Sequence, residues 1–412
     1  MKKSEKFAES YALSNSAKNL VSNAGKYDGT CTCTNEGSRN FACASRTAGR
    51  GLLFFTLVVL LTLAAGCSKK SSAEASAESS AAGKSKQKVV HINFSTGSLC
   101  HAPVHVAMKL GLFDEELGKI GQKAEYVQVI EGGATLGEMI ASGKVDAGYG
   151  LYATQLLAIE NGLPISFTSG IHIGCTKYYV RKDSNIYSAA DLRGKKIGVP
   201  GLADSAVMNL KRKLMDVGIG VTAENNEVEF IAYSSSDLAI ALNNGAVDVI
   251  GAHDPIATKS ELAYGFRKIL DTGIDEKFVK EYCCQQFVTH KLLRENPEGA
   301  AAVTRALQKA AAYVEAEPRA TAQLQIENNF VAGDLDFNAA LLDELNFQPS
   351  RSLGKKTFSA AARQLQEAGL LKASTNIEKY IEEGYIELFG VPDGYIYDKE
   401  TKTYKEINGS RA

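Results

Sequence analysis

The sequence predicts an α/β protein built from two similar lobes. Two observations carry this. From about residue 89 to residue 270, strand-like apolar runs alternate with helix-like runs, the pattern of a largely parallel sheet covered by helices on both faces. A short segment also recurs: Gly143-Lys-Val-Asp146 is echoed about a hundred residues later by Gly245-Ala-Val-Asp248. Two copies are too few for a solenoid. They point instead to two lobes, each delivering a loop to a shared cleft through a helix–Gly–strand unit.

The N-terminal fifth is set apart. Residues 1–50 are polar, rich in Ser, Asn and Gly, and lack apolar periodicity, so they are expected to be disordered or to lie ahead of the true start. Arg46-Thr-Ala-Gly-Arg50 then precedes a short apolar run, Leu52 to Ala65. A basic flank, a brief apolar core and a small-residue end form the layout of a secretory signal. The run is shorter than the roughly 20 residues a membrane span needs. It ends Leu63-Ala-Ala-Gly-Cys67, which resembles the bacterial lipobox, with Ala64 where Leu is commoner. The resemblance implies a lipoprotein signal over 51–67 with Cys67 lipidated, each buried acyl methylene adding about 0.8 kcal/mol of membrane affinity. Residues 68–87 are a low-complexity Ser/Ala/Lys/Glu tether, spanning on the order of 25 Å if flexible.

The body starts with a buried strand, Val89–Phe94. A loop, Ser95–Cys100, leads to a helix over Val104–Leu110, with Pro103 suited to its first turn and Gly111 ending it. Tyr126–Ile130 is a strand, followed by Glu131-Gly-Gly133 and a helix over Ala134–Ala141. A strand over Val145–Tyr149, a helix over Tyr152–Asn161 and a strand over Ile165–Ile171 complete the first series. The second series has strands over Gly194–Val199, Val228–Ile231, Val247–Gly251 and Arg267–Leu270. Its helices cover Asp204–Val217, with Asp204 as N-cap, then Asp237–Leu242 and Pro255–Tyr264. Glu281–His290 reads as extended. From Pro297 the chain is Ala-rich and helical almost to Phe389, and the polar tail after Gly394 is expected to fray.

These segments carry a family resemblance. His101-Ala-Pro103, Ala107-Met-Lys-Leu-Gly-Leu-Phe113, Gly132-Gly-Ala-Thr135 and Gly143-Lys-Val-Asp146 are followed by Asp191-Leu-Arg-Gly-Lys-Lys-Ile-Gly-Val-Pro200, Gly245-Ala-Val-Asp248 and Asp254-Pro255. In that order and spacing the body, roughly 88–390, resembles the solute-binding proteins of ABC importers. It is most similar to the nitrate/sulfonate/taurine type, which shares its fold with thiamine-pyrimidine-synthase-like proteins. The resemblance implies a type II periplasmic-binding-protein clamshell with C-terminal helices. Lobe I would hold 88–175 and 286–395, lobe II 176–285, and 396–412 would be a polar tail. It also implies two crossover strands, a ligand between the lobes, and closure that signals a permease.

Ligands of open α/β sheets sit outside the carboxyl ends of the strands. That rule and the matching motifs select Ser98, Cys100 and His101, then Gly133, Ala134 and Thr135, then Tyr152 as a stacking ring. From the second lobe they select Gly201, Asp204 and Ser205, then His253 and Asp254; His172 is added from the first crossover. A helix N-terminus commonly binds anions, but Asp204 occupies this one and would repel an oxyanion. The cleft loops carry Glu131, Asp204 and Asp254 and no Arg or Lys. A neutral or cationic solute therefore fits better than a small oxyanion.

Cys100, Cys175, Cys283 and Cys284 lie near the expected crossovers, with His101, His105, His172 and His253 close to them or to the cleft loops. Three readings stand side by side. They are small buried core residues, a Cys175–Cys283 or Cys175–Cys284 disulfide in an exported chain, or ligands of a soft metal. No C-x-x-C pair is present, so no metal ligand is assigned.

A formal net charge of −1 argues against a polyanion-binding surface, and no nucleic-acid partner is expected. G-x-S-x-G, H-E-x-x-H and P-loop motifs are absent from the sequence. The expected function is a lipid-anchored, extracytoplasmic, monomeric binding protein that delivers a small solute to an ABC permease. No catalytic residue and no cofactor is assigned. The alternatives are an enzyme on the same fold related to thiamine-pyrimidine synthase, or a soft-metal or metal-complex binder using the Cys/His group.

Overall fold

The computed structural model describes residues 87–129 and 135–409. The leader, the signal with Cys67, and the tether up to residue 86 lie outside the described residues, as do Glu131, Gly133 and Ala134. Among the described residues, no helix is long and apolar enough to cross a membrane.

The chain opens with β1 (Val89–Phe94), a 3-10 turn at Leu99–His101, α1 (Ala102–Lys109) and α2 (Leu112–Gly118). Next come β2 (Lys123–Gln128), α3 (Thr135–Ala141), β3 (Ala147–Leu151), α4 (Tyr152–Glu160) and β4 (Ile165–Ile173). It then crosses to a second sheet through β5 (Thr176–Val180), β6 (Lys196–Val199), α5 (Ser205–Asp216), β7 (Glu229–Ala232), α6 (Leu238–Asn243), β8 (Val249–His253), α7 (Ile256–Tyr264) and β9 (Arg267–Asp271). The return strand is β10 (Tyr282–Thr289). Six helices follow: α8 (His290–Glu295), α9 (Pro297–Ala316), α10 (Pro318–Glu327), α11 (Leu335–Glu344), α12 (Arg351–Glu367) and α13 (Ile377–Gly384). A hairpin, β11 (Gly394–Asp398) and β12 (Thr403–Ile407), ends the described chain.

The two sheets have orders β2-β1-β3-β10-β4 and β7-β6-β8-β5-β9. In each, the first three strands of the lobe run parallel, and a strand arriving from the other lobe inserts antiparallel beside the third. Both lobes thus share one topology, and β5 and β10 are the crossings between them.

The sequence echo has a structural reason. Gly143 and Gly245 take positive φ, 71° and 72°, just after α3 and α6, where glycine is the residue that reverses a helix end without strain. Val145 and Val247 are buried behind them. Asp146 accepts from the His91 N–H at 3.0 Å, and Asp248 accepts from the Lys196 N–H at 2.9 Å. Their own N–H groups donate to the same residues' carbonyls. Each Asp therefore locks the third strand of its lobe to the first. Because those residues are held by side chains, the ladder starts two residues later than the apolar run predicts, at Ala147 and Val249.

Three further departures have physical causes. α2 is a seven-residue helix whose N-cap is Gly111 in the left-handed region, so it lacks the polar cap that announces a helix. β5 carries a lysine inside a fully buried run, Thr-Lys-Tyr-Tyr-Val, which hides it from an apolar-pattern reading. Over the described residues the polar tail does not fray but forms the β11–β12 hairpin. Tyr395, Tyr397 and Tyr404 give the hairpin an aromatic face, and Tyr397 meets Tyr313 of α9 at 5.1 Å between ring centroids.

α2 and α9 are also joined by charge. Glu116 is nearly fully buried and accepts from Lys119 Nζ and Lys309 Nζ, both at 2.6 Å, and from Arg305 Nε at 2.7 Å. Burial opposes its charge, but these hydrogen bonds outweigh it and hold the carboxyl down at about 2, from an ordinary 4.5. A depressed carboxylate stabilises the fold above its unfolded pKa, and that contribution is lost as pH falls through the folded value. Glu116→Gln is therefore expected to cost about 2–3 kcal/mol at pH 7. The difference from the parent should shrink between about pH 4.5 and 2. Urea unfolding at a series of pH values checks both.

Candidate functional site

The carboxyl ends of β1 and β3 meet a cavity of about 170 Å³. Its polar lining is Asn93, Ser95, His101, Tyr149, Thr154 and Gln155; Phe167 and Phe287 supply ring faces, and Ala203 closes it from the second lobe. Asn93 is placed by its backbone partner: the Tyr149 N–H donates to Asn93 Oδ1 at 3.1 Å, so the side chain bridges β1 and β3. The Tyr149 hydroxyl donates to the Cys100 carbonyl at 2.5 Å, and His101 meets the Tyr149 ring edge-on at 5.5 Å.

A second cavity, about 310 Å³, lies between the lobes. Thr96, Gly97 and Ser98 line it from one side, and Pro200, Asp204, Ser235, His253 and Asp254 from the other. Asp204 caps α5, accepting from the Ala206 N–H at 2.8 Å, and its Oδ1 also accepts from His253 Nε2 at 2.8 Å. Burial disfavours charge on His253, but Asp204, then Cys175, outweigh it and raise the imidazole well above its ordinary range. Asp254 pairs with Lys177 Nζ at 2.7 Å and accepts from the Thr258 hydroxyl at 2.7 Å. Burial pushes this carboxyl up, but Lys177 overrides it and holds it low.

These pairings correct one expectation. Asp204 and Asp254 do not offer free negative charge to a cation, because His253 and Lys177 neutralise them. Lys177 was out of sight because β5 was. Neither cavity is lined by Arg or Lys among the described residues. What remains is a neutral, hydrogen-bonding, ring-lined site.

The sequence-selected residues divide. His101 lines the first cavity; Ser98, Asp204, His253 and Asp254 line the second. Thr135 begins α3, and Gly201 and Ser205 flank Asp204 without lining either cavity. Cys100 and His172 are fully buried beneath the cleft. Tyr152 is a correction. Its ring packs edge-on to Phe167, and its hydroxyl accepts from Arg212 at 3.3 Å, so it faces the joint between the lobes. There the buried Arg212 also forks onto Glu281 at 2.7 and 3.0 Å and donates to Gln364 at 2.7 Å. Asn93, Thr154 and Gln155 were missed. The one available signal was a polar Asn near the carboxyl end of a largely apolar strand.

The two crossings do bring the thiols together. Cys175 Sγ lies 2.7 Å from Cys283 Sγ and 3.6 Å from His253 Nδ1. Hydrogen bonds from Cys175 and Cys284 pull the Cys283 thiol down to about 6, whereas burial pushes Cys284 well up. Cys175, His253 and Asp204 stand in the order of a nucleophilic triad. Cys175, however, is only 1% exposed and lines neither cavity.

Two lobes of matched topology, joined by two crossing strands around a cleft, define the periplasmic-binding-protein class of α/β fold. Solved structures agree. The alkanesulfonate-binding protein SsuA of Xanthomonas axonopodis pv. citri superposes with a TM-score of 0.58 at 17% identity, over 73% of this chain and 98% of that one. The nitrate-binding protein NrtA of Synechocystis gives a TM-score of 0.58 at 13% identity, over 73% and 86%. Both are likenesses of fold. The chain belongs to the NMT1/THI5 like family, whose model matches residues 99–321. A Haemophilus influenzae protein provisionally assigned to thiamine biosynthesis is 27% identical over 290 residues, 69% of this chain and 88% of its own. A 4-amino-5-hydroxymethyl-2-methylpyrimidine phosphate synthase of Aspergillus parasiticus is 26% identical over 244 residues, 57% of this chain and 68% of its own.

Proposed function

We propose that this chain is the solute-binding component of an ABC importer and that its solute is a neutral aminopyrimidine. The carrying observation is the cleft itself: amide, hydroxyl, imidazole and ring groups line it, its carboxylates are internally paired, and no Arg or Lys reaches it among the described residues. An oxyanion would meet no unpaired cation there, because the His253 imidazolium is already held by Asp204. A flat heterocycle would find ring faces and hydrogen-bond partners together. The names of the two sequence relatives favour the pyrimidine class. Binding by groups of both lobes would stabilise the closed state, which a permease can read. The signal and lipobox of 51–67 support export and anchoring through Cys67. The tether then leaves the body free to work as a monomer at the membrane surface. No step of this function requires covalent chemistry.

A second reading, an enzyme on this fold, is favoured by the word synthase in one relative's name. One experiment separates solute classes and readings together. Thermal unfolding of the full chain is followed with a neutral aminopyrimidine, with a sulfonate such as MOPS, and with nitrate, and the ligand is analysed afterwards. Stabilisation by the pyrimidine alone, recovered unchanged, is the expected result. Stabilisation by the sulfonate or nitrate instead would contradict the solute class, and conversion of the pyrimidine would contradict the binder.

A further inference from the structure

The chain crossings gather four free thiols and one imidazole at a single buried place. Cys100 comes from the turn after β1, His172 from the end of β4 and Cys175 from the step into β5. Cys283 and Cys284 come from the start of β10. Ligand atoms of Cys100, His172 and Cys175 lie within 4.8 Å of one another, and so do those of Cys175, Cys283 and Cys284. All five side chains are buried. An independent observation sits beside this clustering. Both ring nitrogens of His172 are buried without a hydrogen-bond partner. Buried polar groups are ordinarily satisfied, and leaving an imidazole wholly unsatisfied is costly. This one stands against two thiols.

The donor set selects the occupant. No carboxylate belongs to either triad, so calcium and magnesium, which take oxygen ligands, are disfavoured. Thiolate and imidazole are the ligands of zinc(II) and copper(I). Four ligands held tetrahedrally at about 2.3 Å from an ion stand about 3.8 Å apart, within the spread seen here.

We propose that Cys100, His172 and Cys175, completed by Cys283 or Cys284, form a buried site for one soft metal ion, zinc(II) or copper(I). Binding exchanges thiol protons for the metal: each thiol that ligates releases one proton to solvent, and nothing is oxidised or reduced. The cluster lies one side chain behind the interlobe cavity, since His253 lines that cavity and reaches Cys175 at 3.6 Å. The ion would tie the β1 loop to both crossings at the root of the hinge. It would lie beneath the solute cavities rather than in them. The inference does not rest on the solute assignment.

The test uses the full-length chain, purified reduced and without oxygen. Zinc(II) is titrated against a chromophoric chelator, copper(I) against bathocuproine, and cobalt(II) serves as a spectroscopic probe. One equivalent of ion per chain is expected, with a thiolate-to-cobalt charge-transfer band. Because outer-sphere partners already cost 10–100-fold, Cys175→Ser and His172→Asn should each weaken binding by roughly 100-fold or more. Stoichiometric binding of either ion supports the site, and the ion retained by the protein as purified identifies the occupant. The cobalt spectrum is read on the unsubstituted chain, so it does not depend on a variant folding. The proposal is overturned if no charge-transfer band and no stoichiometric binding are found. It is also overturned if affinity is indifferent to both substitutions, or if Cys175 and Cys283 prove to be disulfide-bonded and the reduced chain binds no ion.

Discussion

Lys177→Met is expected to destabilise the fold by about 3–5 kcal/mol, because removing one member of a buried ion pair strands the other. Lys177 and Asp254 are 6% and 1% exposed, and Asp254 is the polar tip that β8 delivers to the cleft. Without the ammonium, that carboxylate keeps only the Thr258 hydroxyl and N–H as donors. Methionine matches the stem of lysine in size, so the packing change is small and the charge loss dominates. Lys177→Met combined with Asp254→Leu should recover most of the loss, since an apolar replacement of a buried pair is often near neutral. Guanidinium unfolding of the three variants is the check. A single-variant loss below about 1 kcal/mol would place the pair in the class of exposed ion pairs.

Gly150→Phe is expected to abolish solute binding, by roughly 100-fold or more, while leaving the fold intact. Gly150 lines the first cavity, and a Cβ added there meets no atom within 4 Å. Its backbone pairs with Gln285 in the sheet, which phenylalanine tolerates well. Because Gly150 lines the cavity of about 170 Å³, the added ring is expected to enter and fill it. Thermal unfolding without ligand should stay within a few degrees of the parent. Retained affinity would move the solute elsewhere.

The parts of this molecule that follow local rules were legible in the sequence. Gly143 and Gly245, each followed by a buried valine and an aspartate, marked equivalent turns. Asp204 read correctly as a helix cap, because capping depends only on the next few residues. The meeting of Cys175 with Cys283 could be anticipated from crossover topology. What escaped depends on partners far away in the chain. Asn93 acts through Tyr149 on another strand, and Tyr152 is drawn from the cleft by Arg212. Lys177 is explained by distant partners, chiefly Asp254, some 77 positions on, with Glu344 farther off at 3.6 Å, and the charge of the site turned on the first pair. A sequence shows which residues are charged, whereas the sign a solute meets is set by which charges the fold has already paired.

The central claim is that the cleft holds a neutral solute and does not transform it. Isothermal titration of a neutral aminopyrimidine into the full chain and into Gly150→Phe, with the ligand recovered and weighed by mass spectrometry, addresses it most directly. One-site binding to the parent, none to the variant, and ligand of unchanged mass is the predicted result. Equal binding by both chains, or a recovered product of altered mass, would contradict it.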